Sequence, residues 1–312
     1  MTKKIAIETL FISILVVASP VGVAQPVTYE EYQAVFNLSL GERPAWETVE
    51  IEAHHVAGSF YYLSGEGGNI GLSIGDDGII MIDDQFAPLS EKILAAIRSI
   101  SDAEIRFLIN THVHDDHVGG NKYFGAEGAE ILAHENVRIR MMQGIRGNPP
   151  SPEAAWPVLT FTDEVKLHFN GEEVRIIPSP PAHTDSDSYV FFTGTDVLHL
   201  GDVFRTTGYP NIDVGNGGTL AGTIAGLQLA LSLAGPDTKI VPGHGVVSSR
   251  DDVQEFLNLT LEVRDRISDL VDEGKTFEEI VALKPTADLD AQWGSRLDRF
   301  LPGVYLGLIA DR

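Results

Sequence analysis

The 312-residue chain has no cysteine. That absence excludes disulfides, thiolate nucleophiles and cysteine-bearing zinc sites, and thiols therefore say nothing about the redox compartment. Basic residues are scarce: 22 Lys and Arg stand against 45 Asp and Glu, a net charge of −23. Such a surface repels polyanions, which argues against nucleic acid or an anionic membrane as partner and leaves a small-molecule substrate as the expected one. Long apolar runs are missing too. The stretch Leu10 to Ala18, interrupted by Ser13, is too short to span a bilayer. It follows Lys3-Lys4 and precedes small residues up to Gly22-Val23-Ala24. Residues 1–24 thus read as a secretory signal peptide, which predicts a periplasmic or secreted protein. With 43% hydrophobic residues, the rest can bury a sizeable core rather than stay disordered.

After a polar leader, residues 25–50, short apolar runs alternate with Gly and Asp turns. Phe60–Leu63, Ile70–Ile74 and Ile79–Ile82 read as a meander of strands. Ser90 is expected to cap a helix carrying Ile93, Ile97 and Ile100 on one face. A strand leads to His112, a short helix follows around Asn121–Phe124, then a strand at Ile131–Ala133. A Pro-rich loop, Arg146 to Pro157, contains Trp156 and could wall a pocket. Asn170-Gly171 between Glu164–Phe169 and Glu172–Ile177 marks a hairpin, because that dipeptide suits a type I′ turn. Tyr189–Phe192 with Val197–Leu200 forms another, and a helix bearing Leu220, Ile224, Leu227 and Leu231 precedes a strand at Lys239–Val241. Hairpins followed by β-α alternation occur twice, which predicts two mixed sheets, face to face, with helices outside. From Ser249 the pattern is helical, and Thr276 with Glu279 makes a capping box. His54 and His55 are expected just before the first strand, at the surface. His134, His168 and His199 read as structural.

The stretch Thr111-His-Val-His-Asp-Asp-His-Val-Gly-Gly120 is the most informative. Three imidazoles and two carboxylates fall between His112 and His117, directly after apolar strand formers. Neutral imidazole and carboxylate suit Zn²⁺. His112 and His114 can project together from a strand end while the turn brings Asp116 and His117 round from another side, so two ions are the natural reading. Further on, His183 follows Pro180-Pro181, Asp202 sits in Leu200-Gly-Asp and His244 in Pro242-Gly-His-Gly245, each at a strand-to-loop junction.

His-x-His-x-Asp-His at 112–117, followed in order by His183, Asp202 and His244, resembles the metallo-β-lactamase superfamily, with Asp83 at that family's acidic position before the first helix. The resemblance covers about residues 50–250. It implies an α+β fold, a four-layer αββα sandwich over residues 51–250; the helical pattern beyond it makes residues 251–312 an expected helical C-terminal extension packed on that body. It also implies two zinc ions: His112, His114 and His183 on the first, Asp116, His117 and His244 on the second, and Asp202 bridging. Two ions sharing a water lower its pKa enough to make a nucleophile near neutral pH. Asp116 could also orient that nucleophile or shuttle its proton, and Asp83 would hold a ligand loop.

Asp202 stands where the best-known β-lactamases of the family carry Cys, which resembles the hydroxyacylglutathione hydrolases and lactonases instead. Arg205 falls where the cation gripping the drug carboxylate lies; it could grip a substrate carboxylate, or be a plain surface residue. Asn216, in Gly215-Asn-Gly-Gly218, resembles a residue that leans toward the substrate carbonyl, but also suits a turn needing positive φ. The Ser64–Gly68 turn lies where a flap would be and is short for one. The expected activity is hydrolysis, β-lactamase-like on a cyclic amide or ester bearing a carboxylate. The alternative is a thioesterase or lactonase of the hydroxyacylglutathione-hydrolase type.

Overall fold

The computed structural model describes residues 44–145, 148–294 and 297–310; the expected signal peptide and the leader up to residue 43 lie outside the described residues. The first sheet runs in spatial order β1 (Glu52–Ala57), β2 (Phe60–Ser64), β3 (Ile70–Gly75), β4 (Gly78–Ile82), β5 (Ile105–Asn110), β6 (Glu130–His134) and β7 (Leu159–Phe161). Pairing is antiparallel up to β4 and parallel from β4 onward. The second sheet is β8 (Val165–Phe169), β9 (Glu172–Pro178), β10 (Ser188–Phe192), β11 (Val197–His199) and β12 (Lys239–Val241), with only the last pair parallel. The nine α-helices among the described residues are α1 (Ser90–Arg98), α2 (Asp115–Val118), α3 (Asn121–Ala126), α4 (Glu135–Gln143), α5 (Leu220–Leu233), α6 (Arg250–Asp272), α7 (Phe277–Leu283), α8 (Asp290–Trp293) and α9 (Leu301–Ala310).

Side chains of a strand alternate between faces, and that period of two sorts the core into layers. On β4, Ile80 and Ile82 point between the sheets and join Phe60, Ile109, Val174, Ile176 and Phe192. Ile79 and Met81 point outward, under Ile93 and Ile97 of α1. The second sheet does the same: Val190 and Val197 face inward, while Tyr189 and Leu198 join Leu227, Phe256, Val263 and Val304 on the outside. Each fully buried Ile or Leu contributes about 2 kcal/mol. The layers are therefore αββα, and the C-terminal helices share the second outer core.

Local signals explain most element ends. Asn170 (φ 53°) and Gly171 (φ 78°) take the left-handed backbone of the expected hairpin turn. Capping boxes start α6 (Ser249 with Asp252) and α7 (Thr276 with Glu279). Two expectations need correction. Ser90 does not cap α1: it is the first helical residue, and its hydroxyl donates back to Ala87 O at 2.9 Å. His54 and His55 lie inside β1, paired with Tyr62 and Tyr61, rather than before it. The site is placed by one topological fact: Asp83, His112, His183, Asp202 and His244 all follow the carboxyl ends of strands (β4, β5, β9, β11 and β12), where loops from both sheets converge.

Candidate metal centre

β5 ends at Asn110, and the chain turns so that His112 and His114 leave its tip; α2 then carries Asp116 and His117. Asp83 knits this turn together. Its buried carboxylate accepts from Thr111 N, Thr111 Oγ1 and His117 Nδ1, each at 2.7 Å. His183 is fixed by Asp187, whose carboxylate accepts from its backbone N–H at 2.7 Å, and by Asn211, whose carbonyl accepts from Nδ1 at 2.7 Å. Glycine lets the loops close in. A Cβ at Gly68 would lie 2.1 Å from the His117 ring, and one at Gly243 would lie 2.0 Å from Asp202 Oδ1. The Ser64–Gly68 turn is thus packed at its end against the floor of the site, with Gly68 N donating to Asp116 O at 3.0 Å.

Two clusters result, with a carboxylate between them. Ligand atoms of His112, His114 and His183 lie within 4.8 Å of one another, as do those of Asp116, His117 and His244, and those of His112, His117 and Asp202. Asp202 Oδ1 is 3.3 Å from Nε2 of both His117 and His244, and its Oδ2 is 3.6 Å from His183 Nε2. Its two oxygens therefore face the two clusters. His112 Nε2, His117 Nε2 and Asp202 Oδ1 are buried with no hydrogen-bond partner. Orphaned buried polar atoms are rare and costly, and three of them, on residues whose ligand atoms lie within 4.8 Å of one another, fit a site for a cation.

Electrostatics follow the same division. Burial, then its imidazole neighbours, hold His112 well below the usual histidine range, and burial with His114 pulls His183 down to about 3. Both rings are neutral at pH 7, as metal ligation requires. Burial acts against ionisation of Asp116 and Asp202, but the surrounding imidazoles prevail and both carboxyls are held well below the carboxylate range. His117 is the converse. Its burial is outweighed by Asp83, Asp202 and Asp116, which push it well above the histidine range.

Of the other residues singled out in the sequence, Arg205 lies on a cleft of about 160 Å³ with Tyr209, Asn211 and Trp293. Its Nε donates to Thr207 Oγ1 at 3.3 Å, and it makes no ion pair among the described residues. Asn216 is buried, and its amide is engaged elsewhere than at a substrate: Nδ2 donates to Asp213 Oδ2 at 2.7 Å, and Oδ1 accepts from Arg140 at 3.2 Å. Its expected lean toward a carbonyl is not the arrangement seen; it holds the carboxylate that itself meets His114 Nε2 at 2.7 Å. Trp156 packs under Arg138, with its indole N–H on Ser151 O at 3.0 Å. His134 accepts from Asn136 N and caps α4, His199 is buried against Asn69 O, and His168 is exposed. Sequence reasoning missed Asp213, Asp187, Thr111 and the Asn211 carbonyl. Asp213 left one trace, an acid set among Ile212 and Val214.

A family model described as the metallo-beta-lactamase superfamily matches residues 63–244, and the chain belongs to that superfamily. Among curated relatives, hydroxyacylglutathione hydrolase of Nitrosococcus oceani is 29% identical over 164 residues, 52% of this chain and 57% of that protein. Linear primary-alkylsulfatase of a Pseudomonas species is 24% identical over 252 residues, 66% of this chain and 47% of that protein. The matches thus span about half the length of these curated relatives. Among solved structures, a metallo-beta-lactamase from Pontibacter korlensis aligns at a TM-score of 0.58 with 17% identity, over 68% of this chain and 99% of the other. A sec-alkyl sulfatase aligns at 0.65 with 17% identity, over 84% of this chain and 51% of the other. At such identities these structures attest the fold alone, the sandwich expected from the sequence.

Proposed function

We propose that this chain is an exported hydrolase that loads two zinc ions and cleaves a small ester-type substrate bearing a carboxylate. The observation that carries this reading is the convergence of seven side chains, three of which present orphaned buried ligand atoms. His112, His114 and His183 would hold one ion, Asp116, His117 and His244 the other, and Asp202 would face both. When bound, the ions supply Lewis acidity toward the carbonyl and toward an attacking water. The chain supplies the rest. Asp116, 24% exposed and 3.3 Å from His244 Nε2, is the ionised group able to orient that water and accept its proton. Arg205, on the adjoining cleft, can take a substrate carboxylate in a two-pronged grip.

Thioesters and lactones come first among substrate bonds. Asp202 at the shared position and the relation to a hydroxyacylglutathione hydrolase support that order. Cyclic amides such as β-lactams come second, because the likeness to solved β-lactamases is a likeness of fold. Zinc-loaded protein should be offered a thioester, a lactone, a sulfate ester and a chromogenic cephalosporin. Turnover of a thioester or lactone that disappears with a chelator and in His114→Ala is the expected result. Stoichiometric zinc without turnover of any ester or amide would refute the hydrolase reading, and cephalosporin turnover alone would reverse the order. Export predicts a mature N-terminus at Gln25, read by terminal sequencing of protein from the periplasm.

A further inference from the structure

We infer that the C-terminal helices act as a clamp on one half of the metal centre, through the segment Tyr209–Asp213. This rests on the reading that the centre binds metal. Residues 210–213 belong to no helix or strand, so what they touch sets their shape. They touch two things, on opposite sides.

Tyr209 and Ile212 face the C-terminal helices. Tyr209 Oη donates to Asp290 Oδ1 at 2.9 Å, and its ring stacks on Phe300 with centroids 5.8 Å apart and planes at 18°. Ile212 N donates to Arg299 O at 3.1 Å. The Ile212 side chain lies so close to α9 that a Cβ at Gly303 would sit 2.6 Å from its Cβ. Tyr209, Ile212, Phe300, Leu301 and Val304 are buried in one cluster. Asn211 and Asp213 face the centre instead. The Asn211 carbonyl accepts from His183 Nδ1 at 2.7 Å, Asp213 Oδ2 meets His114 Nε2 at 2.7 Å, and Asp213 N donates to His183 O at 2.9 Å. A hydrogen bond at one ring nitrogen decides the tautomer and aims the other nitrogen. Here the aimed atoms are His183 Nε2 and His114 Nδ1, which face each other at 2.8 Å. His117, in the other cluster, is held by Asp83 at the end of β4. The clamp therefore acts on the three-histidine half.

The test uses full-length protein and zinc alone, titrated against a chromophoric chelator. The variants are Tyr209→Phe, Asp290→Ala and Asp290→Asn, together with Gly303→Ala, a change that ordinarily favours a helix. An added Asp116→Ala change isolates the three-histidine step. Tyr209→Phe, Asp290→Ala and Gly303→Ala should each weaken that step roughly tenfold and leave the other unchanged. Asp290→Asn keeps an acceptor for the tyrosine hydroxyl and should bind like the parent protein. A role confined to stability would lower the melting midpoint and spare both affinities. That result, or equal weakening of both steps, overturns the clamp. A parent protein that binds no zinc overturns the metal reading, and the clamp with it.

Discussion

His112, His114 and His183 are sealed from solvent, whereas Asp116 and His244 keep 24% and 18% of their side-chain surface open. The first cluster is made of imidazoles alone, and the far side of each ring is tied: His112 to Thr111, His114 to Asp213, His183 to the Asn211 carbonyl. The second mixes carboxylate with imidazole, and Asp83 holds its buried ring, His117. One half is thus enclosed and supported from behind, which suits keeping an ion. The other is charged and faces the opening, which suits admitting water and substrate. The contrast predicts unequal grip on metal within one centre.

Removing one ligand from each half is the strongest way to break that contrast. His183→Ala should leave turnover at the level of the chelated protein. His244→Ala should retain about one zinc per chain by elemental analysis, with turnover falling less than in His183→Ala. Equal zinc loss in both variants would end the distinction. Next come the groups behind the rings. Asp213→Asn should weaken zinc binding at the three-histidine half about 10- to 100-fold and spare the other, whereas Asp83→Asn, whose carboxylate serves His117 directly and His112 through Thr111, should weaken both. If Asp213→Asn weakens both steps equally, the three-histidine half has no support of its own.

A smaller effect lies on the open side. Arg205→Ala should raise KM for a carboxylate-bearing substrate about tenfold, near 1.4 kcal/mol, with kcat little changed. A neutral substrate should not respond. An unchanged KM for the charged substrate would remove Arg205 from recognition.

The smallest effect concerns His199, whose contact with Asn69 lies beneath the loop that carries His244, since the Asn69 amide donates to Pro242 O and Gly245 O. Burial lowers His199 to about 4, against about 6.5 in the unfolded chain. Between those values the unfolded state binds more protons, so stability is full above about pH 6.5 and is lost as pH falls toward 4. The loss between pH 6 and pH 5 is about 1 kcal/mol. His199→Gln should flatten that part of the melting-midpoint profile, and an unaltered slope would discount His199 as its source.

Much of this was legible in the residues. The Asn170-Gly171 turn, the two capping boxes and the alternation along β4 act over a few residues, so local pattern reports them. Ser90 falls inside the helix rather than at its cap because Ala87–Leu89 already forms a helical turn that runs into it. The surroundings of Asn216 were not legible, for another reason. Its turn is local, but the carboxylate and guanidinium that occupy its amide come from Asp213 and from Arg140 on α4.

The identity and order of the candidate ligand side chains were determined by the sequence itself. Histidines and acids at strand ends are unusual enough to declare themselves, and strand ends are where a sandwich brings its loops together. Only the tertiary structure decided which group stands behind each imidazole, and so which nitrogen each ring presents. Asp213 meets His114 across 99 residues of chain and Asp83 meets His117 across 34. No periodicity links such partners; packing of the two sheets, and of the C-terminal helices on the second, is what sets them side by side.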